Sequence, residues 1–69
     1  MDLKTAKQVL TEMGTVDITA TNLRVGRSIY GYIDFNTAET HIHIDGKVTP
    51  DQLEAIATWM RDPSGVVNA

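Results

Sequence analysis

The residues best suited to chemistry by type and spacing are His41, His43 and Asp45, in the stretch His41-Ile42-His43-Ile44-Asp45. On an extended strand, alternate side chains leave the same face about 6.5 to 7 Å apart at Cα, so these three would stand in a row. Two imidazoles and a carboxylate at that spacing suit a divalent cation or a small polar ligand. The same pattern arises on any polar strand face with two histidines, where the pair simply meets solvent or a partner protein. Ser28, with either histidine and Asp34 or Asp45, supplies the residue types of a nucleophilic triad. No nucleophile elbow and no phosphate-cradling glycine loop accompanies them, so no catalytic residue is assigned and no enzyme is expected.

The string His41-x-His43-x-Asp45 is similar to the first part of the His-x-His-x-Asp-His motif of metallo-β-lactamase-type hydrolases. Gly46 stands where that motif has its last histidine, and a chain of 69 residues is several times shorter than that family needs to supply its remaining ligands. The likeness covers five residues and does not carry the family's fold or activity to this chain.

The element that must position these residues is a hairpin from Arg27 to Gly46. Period-two alternation sets Ile29, Gly31, Ile33 and Phe35 on one face of its first strand and Tyr30, Tyr32 and Asp34 on the other. On the return, Ile42 and Ile44 oppose His41, His43 and Asp45. With Asn36 to Glu39 as the turn, counting outward pairs Asp34 with His41, Ile33 with Ile42 and Tyr32 with His43. Upstream, Thr15 to Val25 alternates with Val16, Ile18 and Ala20 on one face, and then the apolar phase passes to Leu23 and Val25. Either a turn or bulge at Thr21-Asn22 re-aims the chain, or one straight strand shows apolar groups on both faces. With Gly26-Arg27 as a primed two-residue turn, the straight strand sets Ile18 against Phe35 and Leu23 against Tyr30. That continuous register is the expectation, and it gathers Leu23, Val25, Tyr30, Tyr32 and His43 on the open back of the sheet.

Two helices flank the strands. From Asp2 to Met13, Leu3, Ala6, Val9, Leu10 and Met13 recur at helical spacing, with Asp2 as cap and Gly14 as left-handed stop. The second begins at Thr49-Pro50, with Gln52 completing a capping box and Val48 and Leu53 placed for a hydrophobic staple. Its expected buried stripe is Leu53, Ile56, Ala57 and Met60. Trp59, about a quarter turn away, is expected to be only partly covered. Asp62-Pro63 ends the helix. The expected architecture is a two-layer α+β sandwich, α-β-β-β-α, with a three-stranded antiparallel sheet in order 1-2-3 and both helices on one face. Residues 1–63 form its single domain and 64–69 a flexible tail.

Composition narrows the function classes. A formal charge of −3, from six basic and nine acidic residues spread along the chain, argues against a nucleic-acid partner, which would favour a basic face. Arg24 and Arg27 form the only close basic pair beyond the first helix, and two charges at a strand end do not make such a face. Without cysteine there are no disulfides or thiolate metal sites, in keeping with a reducing, cytoplasmic compartment. Neither an apolar run of membrane-spanning length nor a signal-peptide pattern is present. No cofactor and no membrane partner is expected.

A chain this short buries only about 60% of its unfolded surface, so association would help it. Tyrosine-rich patches with polar handles suit interfaces. The expected function is a small acidic interaction module that meets another protein, or its own copy as a homodimer, through Leu23, Val25, Tyr30, Tyr32, His43 and Trp59. Acidic chains of this length are frequently accessory regulators or inhibitors, including those carried by phages and other mobile elements. Metal or small-ligand binding through His41, His43 and Asp45 is the alternative.

Overall fold

The computed structural model describes residues 1–26, 32–37 and 41–69, with Thr15, Val16, Tyr32 and His41 described through their backbone alone. Helix α1, Leu3–Glu12, starts where the Asp2 carboxylate accepts the Thr5 N–H at 2.7 Å and stops at Met13. Gly14 follows with φ 81°, the left-handed conformation that only glycine adopts without strain, and a Cβ there would meet the Gly26 carbonyl at 3.0 Å. Four strands come next: β1, Thr15–Ile18; β2, Asn22–Gly26; β3, Tyr32–Asn36; and β4, His41–Ile44. They form one antiparallel sheet in the order β1-β2-β3-β4. Helix α2, Pro50–Arg61, and the short helix α3, Pro63–Val67, complete the chain.

The α+β class and the sequential antiparallel order match the expectation. The strand count does not, because the expected straight strand from Thr15 to Val25 is a hairpin of its own. Thr19 makes the turn. Its Oγ1 accepts the N–H of Asn22 at 2.9 Å and of Thr21 at 3.2 Å, and its own N–H donates to the Asn22 carbonyl at 2.9 Å. A hydroxyl that satisfies two turn amides replaces the glycine or proline that usually marks such a corner.

The register across β2 and β3 follows from this turn and overturns the expected back face. Leu23 lies opposite Phe35 rather than Tyr30, a displacement of five residues, and Val25 lies opposite Ile33. An odd displacement moves every side chain of a strand to the other face. Leu23 and Val25 are therefore core residues, packed with Ile33, Phe35 and, from the helices, Ala6, Leu10, Met13, Ala55, Ile56, Trp59 and Val66. Between β3 and β4 the displacement is two residues, since Asp34 meets His43 where His41 was expected. An even displacement preserves the faces, and Ile42 still packs against the core.

Helix α2 carries the expected start: Thr49 Oγ1 accepts the Gln52 N–H at 3.2 Å, and Gln52 Oε1 accepts the Thr49 N–H at 2.9 Å, a complete capping box with Pro50 in the first turn. Its buried side is rotated from the expected stripe. Ala55, Ile56, Thr58 and Trp59 are buried, whereas Leu53 and Met60 are 47% and 42% exposed. Val48 packs against the core cluster. Trp59, expected at the margin, is 0% exposed.

Asp62 ends α2 as expected and then caps α3, accepting the Gly65 N–H at 3.1 Å. The stretch expected as a tail holds this short helix, whose Val66 is fully buried. Lys7 of α1 secures the end of the chain, its Nζ donating to the carbonyls of Val67 at 2.9 Å and Ala69 at 3.1 Å. Among the described residues no helix is long and apolar enough to cross a membrane.

Candidate functional site

All three helices contribute to the core on one face of the sheet, and among the described residues no helix covers the opposite face. Register decides which residues stand there. Asp17 lies opposite Arg24, Arg24 opposite Asp34, and Asp34 opposite His43, giving one row across all four strands. The burial pattern along β2 alternates accordingly, with Leu23 and Val25 buried and Arg24 exposed. Asn22 and Asn36 face each other in a neighbouring row that continues to position 41, and Gly26 lies opposite position 32.

The charges in the first row alternate in sign. Arg24 Nε lies 3.9 Å from Asp34 Oδ1, with the two side chains 62% and 52% exposed. An ion pair this long and wet contributes at most about 1 kcal/mol to stability. Its weight lies in recognition, because exposed alternating charges set the register and orientation of a partner at little cost to the fold. His43 is also exposed and closes the row on β4.

The expected contact residues separate into three groups. Leu23, Val25 and Trp59 are buried in the core: the odd register displacement buries the first two, and rotation of α2 buries the third. His43 stands on the open face as expected. Tyr30 lies outside the described residues, as do Arg27, Ser28, Ile29 and Gly31, and Tyr32 is described by its backbone alone. Sequence reasoning missed the role of Arg24 and Asp17 in the polar row. Their signal is parity, since any register that buries Leu23 and Val25 must turn Arg24 outward.

For the metal alternative, His43 and Asp45 are exposed at the end of β4, and the side chain of His41 lies outside the described residues. Among the described residues no group of three histidine, cysteine or acidic side chains is placed to hold a metal ion. Asp34, the nearest carboxylate position to His43 across the ladder, is engaged with Arg24. Comparison with known proteins finds no matching family model, no matching curated relative and no matching solved structure.

Proposed function

We propose that this chain is a small non-enzymatic protein-interaction module, an accessory regulator or inhibitor that binds another protein through the uncovered face of its sheet. One observation carries the reading: the row Asp17, Arg24, Asp34 and His43, aligned by register across four strands on a face that no helix covers. A surface of this kind selects a partner by matching charge and by excluding mismatched partners. The alternation of sign also disfavours a polyanion, for which a continuous basic stripe would serve. Trp59 and Phe35 belong to the core, so binding depends on the polar row.

The test is a charge reversal on that face. A partner captured from the source cells with the wild-type chain is titrated against purified wild type and Asp34→Lys. Binding at least 10-fold weaker for Asp34→Lys, with an unchanged circular dichroism spectrum and melting temperature, is the expected result. Equal affinity for wild type, Asp34→Lys and Arg24→Glu would overturn the assignment of this face.

A further inference from the structure

The two borders of the sheet differ. At β1 the pairing with β2 is broken by a bulge between Thr15 and Asp17, a device that twists an edge away from further pairing. At β4 the four residues His41–Ile44 pair with β3 in unbroken register and include no proline and no lysine. An edge without bulge, proline or lysine lacks three of the usual protections against strand addition.

Hydrogen-bond parity shows what this edge presents. Thr37 donates its N–H to the Thr21 carbonyl at 2.9 Å, so residues 21 and 37 form a hydrogen-bonded pair of the β2–β3 ladder. Bonded and non-bonded pairs alternate along an antiparallel ladder. Leu23 with Phe35 and Val25 with Ile33 are then bonded pairs, and Asp34 and Asn36 turn their backbone groups toward β4, onto His43 and His41. The N–H and C=O groups of Ile42 and Ile44 consequently point away from the sheet. Ile44 is also 40% exposed, although its cross-strand neighbour Ile33 is 1% exposed, so the apolar layer ends abruptly at this border.

We propose that a second copy of this chain adds to β4 in antiparallel register about a two-fold axis at His43. That register sets Ile42 opposite Ile44 of the second copy, and Ile44 opposite its Ile42. Both pairs join outward-pointing backbone groups, so they are hydrogen-bonded pairs, and both join isoleucines on the core face. Position 41 of each copy falls opposite Asp45 of the other, a histidine against a carboxylate. The sequence is therefore self-complementary in backbone and apolar contact, as an isologous interface requires. A slip of one residue would set isoleucine against histidine and place the second copy's helices on the opposite side of the sheet. The joined sheet keeps both helical layers on one side and leaves both polar rows uncovered. This pairing uses the border of the sheet rather than its face, and so goes beyond the interaction-module reading above. It is a small interface, below about 1,200 Å² in total, and so of the reversible, concentration-dependent class.

Sedimentation equilibrium over a concentration series tests the pairing with three proteins. Wild type is expected to pass reversibly from monomer to dimer. Ile44→Pro removes an outward N–H that the monomer's ladder does not use, a substitution edge strands accept, and it is expected to weaken dimerisation at least 10-fold with an unchanged circular dichroism spectrum. Asp45→Lys, outside the strand, is expected to weaken it as well and serves if the proline variant fails to fold. Wild type that stays monomeric up to about 1 mM, or dimerises no better than both variants, would overturn the proposal. Asp34→Lys separates the two readings: it is expected to dimerise like wild type while losing the hetero-partner, so failure of the face reading leaves the dimer intact and failure of the pairing leaves partner binding intact.

Discussion

Trp59 donates its indole N–H to the Thr19 carbonyl at 3.1 Å and sets its ring at right angles to Phe35, with centroids 5.5 Å apart. One side chain thereby ties α2 to the β1–β2 turn and to the centre of the sheet, adding edge-to-face packing to the burial of a large ring. Trp59→Phe leaves the Thr19 carbonyl without its donor and a void beside Phe35; the expected loss is about 2 to 3 kcal/mol in urea unfolding. Asp2 makes a different prediction, because the Thr5 backbone N–H holds its carboxyl below its ordinary value of 3.8. A depressed folded-state value means that the ionised cap favours folding above the ordinary value and ceases to do so as pH falls through the folded one. The stability gap between wild type and Asp2→Ala should therefore stay constant from neutral pH down to the ordinary carboxylate range and narrow below it. A gap that does not change with pH would contradict the cap's electrostatic role.

At the scale of elements, helices were legible wherever their ends are made by local chemistry. Asp2 and Gly14 bound α1, and the Thr49-Pro50 start with Gln52 sets α2, all through contacts within a few residues in sequence. The Asp62-Pro63 pair repeats the Thr49-Pro50 signature and announces α3, but its glycine and short length hide it behind the appearance of a tail. The sheet was less legible because its register depends on turn lengths. Thr19-Ala20-Thr21 has none of the usual glycine or proline markers, and Gly26 pairs with Tyr32 inside the β2–β3 ladder rather than opening the two-residue turn that Gly26-Arg27 suggests. Turn lengths differing by an odd number of residues reverse a strand's faces, which is why Leu23 and Val25 moved from the surface to the core while Ile33, Phe35 and Ile42 kept their places. Helix rotation failed for a related reason. Leu53 and Met60 fit a helical stripe by spacing, but Trp59 has far more apolar area to bury, and α2 turns to bury it. Leu53→Ala should therefore cost less than about 1 kcal/mol and Ile56→Ala about 2 to 4 kcal/mol, compared in chemical denaturation. A greater cost at Leu53 would show the opposite rotation of α2.

In the whole molecule, the sheet's two faces and its two borders divide the labour. One face is committed to a core that draws on every helix, the other displays an alternating polar row, one border is bulged, and the other presents the backbone of Ile42 and Ile44. The candidate site was legible in part, since His43 and Asp34 could be read from alternation. Its partners Arg24 and Asp17 required the register, and Leu23 and Val25 of the expected tyrosine-centred patch lie in the core. The two proposed surfaces are compatible, because strand addition at β4 extends the sheet sideways and leaves the polar face open.

Site-resolved amide hydrogen exchange along β4 distinguishes a free border from one paired with a second copy. With β4 paired to a second copy, the His43 amide, bonded within the sheet, is expected to be protected at every protein concentration. The amides of Ile42 and Ile44 should exchange rapidly in dilute solution and become protected together as concentration rises. Fast exchange of both isoleucine amides at high concentration, or their full protection in dilute monomer, would contradict the pairing.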